Sequence, residues 1–250
     1  MIASPLDDSA RVPPAAFATT QWGLVKKAGE AGGGDDATQA LESLCSTYWY
    51  PLYAYIRRLG HPPPKSQDLT QSFFAYLLEK RLVAKADPEH GHFRSFLLGA
   101  LKGFMANEWR TSQAQKRGGA AQIISFDADD AEDRYAAEPV ELRNPQSLYE
   151  HAWAVSVLDE AVARLEAEYA GQGKVRLFEE LHVFLQGDRG PHNYAQSGVV
   201  LGMTEGAVKV AVHRMRRRCR ELLRAVVACT VSEPADVEED LRYLQRVLRG

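Results

Sequence analysis

The sequence predicts an all-α fold, with two helical domains joined by an acidic flexible linker. Three observations lead there. Apolar residues recur every three or four positions along the long segments, no stretch alternates apolar and polar residues as a strand does, and Gly/Pro clusters divide the helical stretches. The boundaries these breaks suggest are an extension with a short helix (1–36), a first helical domain (37–117), a linker (118–147), a second helical domain (148–228) and a terminal amphipathic helix (229–250).

Residues 1–16 are rich in Pro, Ala and Asp, and Phe17–Ala28 reads as a short helix capped by Thr19 or Thr20. From Ala37, the residues Leu41, Leu44, Tyr48, Leu52, Tyr55 and Leu59 mark one helical stripe, which Gly60 and "HPPP" stop. In "KSQDLTQSFFAYLLEKRL", Leu69, Phe73, Tyr76 and Leu77 face inward, and Asp68, Ser72, Ala75 and Glu79 form the outer stripe. A loop, "KADPEHGH", leads to a third helix, "FRSFLLGALKGFMANEWR". The following stretch through Pro145 holds too much Gly, Pro and acid for a packed element and reads as linker. The next helix begins near Leu148, with Val155, Leu158, Val162, Leu165 and Tyr169 on its buried side, and "KVRLFEELHVFL" follows it. In the terminal segment Val237, Leu241, Leu244 and Leu248 make a stripe that needs covering, by self-packing onto its neighbours or by a partner.

Charge is distributed unevenly. The chain of 250 residues carries a net −3 overall. Residues 40–120 hold 11 cations against 6 carboxylates, 121–193 hold 6 against 15, and 194–224 hold 7 against 2. Two basic blocks about an acidic one point to two anion-binding units kept apart by a repelling spacer. Cys45, Cys219 and Cys229 have no paired spacing, which predicts reduced thiols and a cytoplasmic protein. The first residues lack the basic start and apolar run of a secretion signal, and no stretch reaches the ~18 apolar residues a membrane span needs.

The densest signal is "NYAQSGVVLGMTEGAVKVAVHRMRRRCR", Asn193–Arg220. Asn193 and Gln196 start a short helix, Gly202 permits a tight turn, and Thr204 caps a second helix. Val208, Val212, Met215 and Cys219 make the inner face of that helix, and Lys209, His213, Arg216 and Arg220 lie outside. Two short helices about a Gly turn, the second cationic, make a helix-turn-helix pattern, whose second helix fits a major groove while its basic end meets phosphate. A merely solvated basic helix face lacks the Gly turn and the two caps.

With both basic units in view, the chain resembles the extracytoplasmic-function (ECF) group of bacterial sigma factors. "DLTQSFFAYLLEK" with "FRSFLLGALKGFMANEWR" resembles the region-2 module of that group, and "YAQSGVVLGMTEGAVKVAVHRMRRRCRELL" its region-4 module; the likeness runs from about Phe17 to Leu248. The resemblance implies a non-enzymatic subunit of RNA polymerase that directs transcription initiation, without cofactor or metal. Its partners are then core polymerase, through the beta-prime clamp and beta flap, and promoter DNA. By position it assigns polymerase docking to Asp68, Gln71, Ser72 and Glu79. The melted minus-ten strand falls to the loop Asp87–His92 with His90 and His92, and to Phe93, Arg94, Lys102, Asn107, Trp109 and Arg110; a flipped base needs stacking surfaces and the strand needs cations. The minus-thirty-five duplex falls to Thr204, Glu205, Gly206, Lys209, Val210, His213, Arg214 and Arg217.

This sequence departs from the family pattern at Pro64, Lys65 and Ser72, which occupy positions where carboxylates are common, at Gly103, at Val210–Ala211, and at Ser197–Gly198 where Ala packing is expected. The missing acid suggests Ser66, Thr70 and Ser72 as candidate phosphorylation sites, each adding about −1.5 to −2 charge to the docking face, with a Ser/Thr kinase as a candidate partner and capping as the alternative role. An anti-sigma factor is the other candidate regulator.

Two other functions compete. A stand-alone helix-turn-helix regulator would bind its duplex tightly without polymerase, with steep salt dependence. A metal-dependent nuclease would use Asp68, Glu79 and Asp87, but leaves the helix-turn-helix pattern unexplained; His90 and His92 lack the further ligands of a metal site.

Overall fold

The computed structural model describes residues 34–83, 86, 92–112, 128–138, 144–186, 193–228 and 236–249. The described residues form α-helices and short 3-10 turns and contain no strand. The helix expected over Phe17–Ala28 lies outside them. None of the described helices is long and apolar enough to cross a membrane.

Helix α1 (Gly34–Arg58) carries five aromatic residues between Tyr48 and Tyr55. Thr47 through Ile56 are all buried, a wider band than one stripe, because α1 is covered on several sides at once. Leu59, expected to face inward, is 46% exposed, since the helix has already ended. Helix α2 (Pro63–Glu79) begins with prolines at positions whose amide hydrogens would have no helical partner. Its inner face is Leu69, Phe73, Phe74 and Leu77, and Tyr76 is half-buried. Helix α3 (Phe93–Ser112) joins this aromatic layer, with the Phe104 ring 5.7 Å from Phe73.

The acidic segment is not simply a spacer. Ala128–Ala136 forms helix α4, held against α1 by specific polar contacts. Glu132 accepts from Arg57 Nε at 2.6 Å and from the Tyr53 hydroxyl. The Tyr50 hydroxyl donates to Glu138 at 2.7 Å, and the Arg134 guanidinium lies 4.1 Å from the centre of the Tyr50 ring. The Arg57 guanidinium holds the Glu132 carboxyl below the usual carboxylate range. The acid that makes this stretch look unpackable is what the Arg57 end of α1 attracts.

Helix α5 (Pro145–Gly171) starts at Asn144, whose side chain accepts from the Gln146 amide at 2.9 Å. It is the central helix, packed on α1 along one flank and on the long basic helix along another. Its buried residues are therefore Leu148, Tyr149, Ala152, Trp153, Ala154, Ser156, Val157, Ala161 and Leu165, and the expected Val155, Leu158, Val162 and Tyr169 are only half-buried. Trp153 and Tyr149 are almost wholly enclosed. Helix α6 (Val175–Leu181) and a 3-10 turn (His182–Gln186) lead to α7 (Tyr194–Leu201) and α8 (Glu205–Ala228). The last helix, α9 (Asp236–Arg249), packs on α5 and α8, burying Val237 and Leu244 and half-burying Leu241 and Leu248. One apolar core runs from α1 to α9, so the two parts separated in the sequence analysis are in contact along α1 and α5.

Candidate nucleic-acid interface

Two surfaces carry the predicted site residues, one on α7–α8 and one on α2–α3.

On the first, the backbone is fixed by two glycines and two caps. Asn193 Oδ1 accepts from the Ala195 amide at 2.7 Å and starts α7. Gly202 ends it with φ of +66°, a left-handed conformation that a side chain strains. The Met203 amide then donates to the Gly198 carbonyl at 2.8 Å. A Cβ on Gly198 would stand 2.7 Å from the Met203 oxygen, so glycine is what lets this turn close. Thr204 Oγ1 accepts from the Ala207 amide at 3.2 Å and starts α8.

Helix α8 buries Val208, Val212 and Met215 and half-buries Cys219, whose thiol burial pushes up. Thr204, Glu205, Gly206, Lys209, Val210, His213, Arg214 and Arg217 are all exposed, so the predicted duplex-reading residues share the open side. Lys209 pairs with Glu205 at 2.6 Å, which raises the lysine, and its ammonium lies 5.8 Å from the centre of the Tyr194 ring. Val210 is 50% exposed and Val199 on α7 is 85% exposed.

The arginine run divides by role. Arg214 and Arg220 are exposed, and Arg217 pairs with Glu221 at 3.1 Å. Arg216, expected outside, turns back instead: its Nη2 and Nε donate to the Phe184 carbonyl at 2.6 and 3.0 Å. Arg218 grips Glu168 of α5 with both ends, at 2.5 and 2.8 Å, and Glu221 at 3.0 Å, lowering the Glu168 carboxyl. Arg216 and Arg218 thus fasten α8 to the body, leaving the others to face outward.

On the second surface, Asp68, Ser72 and Glu79 are exposed along the outer edge of α2, Gln71 is half-exposed, and Glu79 pairs with Lys80 at 2.8 Å. Ser66 and Thr70 are buried. Ser66 Oγ donates to the His61 carbonyl at 3.3 Å and Thr70 Oγ1 to the Ser66 carbonyl at 2.8 Å, so these two are structural hydroxyls; Ser72 alone of the three candidate phosphorylation sites faces out.

Helix α3 corrects one further expectation and encloses a second residue assigned to the strand. Phe93, assigned to base stacking, is 2% exposed, with its ring edge-on to Tyr48 at 5.5 Å. Arg94, assigned to the strand, is 6% exposed and bound to α9: its Nη1 donates to Asp240 Oδ2 at 2.7 Å, and its guanidinium carbon sits 4.6 Å from the ring centres of both Trp153 and Tyr243. Lys102 and Asn107 are exposed and His92 is half-exposed. His90 lies outside the described residues, as do Asp87 and the side chains of Trp109 and Arg110.

Asp68 and Glu79 sit eleven positions apart, about 16 Å along α2 at the helical rise, too far to share one metal ion as the nuclease reading needs. Among the described residues no three His, Cys, Asp or Glu side chains gather as metal ligands.

These elements define an all-helical protein with a capped short helix, a left-handed turn and a long cationic helix presented to solvent. The chain matches no family model, no curated protein and no solved structure.

Proposed function

We propose that this protein is a sigma factor of the extracytoplasmic-function type, which binds core RNA polymerase and directs promoter recognition. The observation that carries the reading is the α7–turn–α8 arrangement: a turn closed by Gly198 and Gly202, followed by a helix whose exposed side holds Lys209, Val210, His213, Arg214 and Arg217. That is the form of a helix-turn-helix unit, in which the first turns of the second helix read base edges and the following cations hold phosphate. Val210, exposed among polar neighbours, is suited to contact a thymine methyl. Arg216 and Arg218 contribute indirectly, by setting the angle at which α8 leaves the body.

The second helical part distinguishes this reading from a simple regulator. The outer edge of α2, with Asp68, Ser72 and Glu79, is the polymerase-docking face, and α3 supplies Lys102 and Asn107, with His92 just before it, to the opened strand.

The test is retention of the purified full chain by core RNA polymerase, followed by run-off transcription on promoter-bearing fragments. Retention, with polymerase-dependent transcripts that Asp68→Lys and Glu79→Lys abolish, is expected. Tight, sequence-specific duplex binding by a chain that core polymerase never retains would replace this reading with a stand-alone regulator.

A further inference from the structure

The α9 helix occupies the cationic edge of α3. Asp240 is 1% exposed and meets Arg94, itself 7% exposed at the side chain, at 2.7 Å. The arginine is sandwiched between Trp153 of α5 and Tyr243 of α9. Burial, together with the hydrogen bond that the Tyr243 hydroxyl donates to Glu150, pushes that hydroxyl up to about 12, so this ring stays neutral while it covers the guanidinium. At its other flank, Glu238 of α9 pairs with Arg224 of α8. One short helix therefore ties α3, α5 and α8 together.

The Asp240 end of this contact is incompletely paired. A buried carboxylate that serves only structure has its lone pairs satisfied, because a half-paired charge in a dry site is costly. Asp240 Oδ1 has no hydrogen-bond partner among the described residues, and the His92 ring Nδ1 stands 3.5 Å from it. Beside the pair lies a half-open cavity of about 420 Å3 between α3, α5 and α9, lined by Lys102, Glu150 and Glu239 among others. The contact of α9 with α3 is thus polar, whereas its contacts with α5 and α8 add the buried Val237 and Leu244 to their polar pairs.

We propose that α9 is an internal competitor for single-stranded nucleic acid: Asp240 stands where a strand phosphate would sit on Arg94, and the strand must displace α9 to reach Arg94, His92 and Lys102 together. A strand is the better partner, because its successive phosphates bring further anions to Lys102, which a single carboxylate does not. The proposal rests on assigning α3 to the opened promoter strand, and deepens that assignment by naming what holds the free protein closed.

The test is fluorescence anisotropy of a labelled single-stranded oligodeoxythymidine with the full chain, together with hydrogen exchange of the α9 amides. A latch that hides the strand site lowers apparent affinity by the fraction of time it is open. Asp240→Asn is therefore expected to bind the oligonucleotide about tenfold more tightly than wild type. The gain should vanish in the Asp240→Asn, Arg94→Ala double variant. Because Asp240→Asn removes a buried charge and its fold is at risk, Arg224→Glu provides a surface route to the same end, repelling Glu238 and loosening α9 with the core intact. Faster exchange of the α9 amides on adding oligonucleotide to wild type is the matching result. Unchanged affinity in both variants with α9 still protected at saturating oligonucleotide overturns the proposal, as does the absence of strand binding in every form. Retention by core polymerase is measured separately, so that loss of the latch and loss of the sigma reading give different outcomes.

Discussion

Gly198→Ala separates two opposed effects at the turn before α8. Gly198 lies inside α7, where alanine is the better helix former by about 1 kcal/mol, so propensity alone predicts a more stable protein. The new Cβ, however, would meet the Met203 carbonyl oxygen at 2.7 Å, where ordinary contact begins at 3.4 Å, so the turn must open by the 0.7 Å difference. The obstacle is backbone, which no rotamer change relieves. Overpacking of this kind costs about 1–3 kcal/mol, and opening also strains the Met203-to-Gly198 hydrogen bond, worth about 1 kcal/mol. Subtracting the propensity gain leaves a net loss of about 1–3 kcal/mol. For a chain of this length that lowers Tm by about 2–12 °C, at roughly 2–4 °C per kcal/mol. Thermal unfolding by circular dichroism reads the effect, and duplex binding should weaken in parallel because α8 is re-aimed. A Tm equal to or above that of wild type would refute the close-approach argument. Gly202→Ala is the control: it has open space but a φ of +66°, so its loss of about 1–2 kcal/mol comes from backbone strain alone, and Gly202→Asn should recover part of it.

Other outcomes follow from the ion pairs and the core. Glu132→Gln should destabilise the protein by about 1–2 kcal/mol at neutral pH. Because Arg57 holds the Glu132 carboxyl below its unfolded value, that contribution is full above about pH 4.3 and fades as pH falls through the lower folded value; urea unfolding at neutral pH and in acid should show the gap between variant and wild type closing. Arg218→Ala breaks a bidentate but well-exposed pair with Glu168 and should cost no more than about 1 kcal/mol, read in the same urea titration. Trp153→Ala removes a fully buried ring from the junction of α3, α5 and α9, and about 3–5 kcal/mol of stability with it. If Arg214 meets a phosphate, Arg214→Ala should reduce the slope of log affinity against log salt by about 1 on duplex DNA, and Arg216→Ala should instead lower Tm.

Local signals were the readable part of this sequence. The inward face of α2 follows from spacing: Leu69, Phe73 and Leu77 are buried and Asp68, Ser72 and Glu79 exposed. The turn at Gly202 and the caps Asn193 and Thr204 follow from residue chemistry within four positions. What spacing cannot encode is the partner of a charge distant in sequence. Arg94 and Asp240 are 146 positions apart, and nothing near either one distinguishes a DNA-facing arginine from a buried one. Phe93 went astray for the same reason, since the Tyr48 ring that receives it belongs to another helix. On α5 a single apolar stripe was expected, but a helix covered on several flanks buries small and polar residues such as Ala152 and Ser156 that hydropathy does not mark. Within the arginine run, composition gives the charge but not which side chains turn back to Phe184 and Glu168.

The acidic segment illustrates how a charge pattern and a fold can both be explained by one set of contacts. Read as a spacer, its carboxylates repel one another and keep the chain extended. In the folded protein Glu132 and Glu138 reach Arg57, Tyr53, Tyr50 and His151, and Arg134 reaches Asp159, so α4 lies over the α1–α5 junction and its acid is partly neutralised. The carboxylates that would hold a free segment extended are thus the groups that seat α4 on α1, and because Tyr50 and Tyr53 are buried these contacts are formed largely away from water.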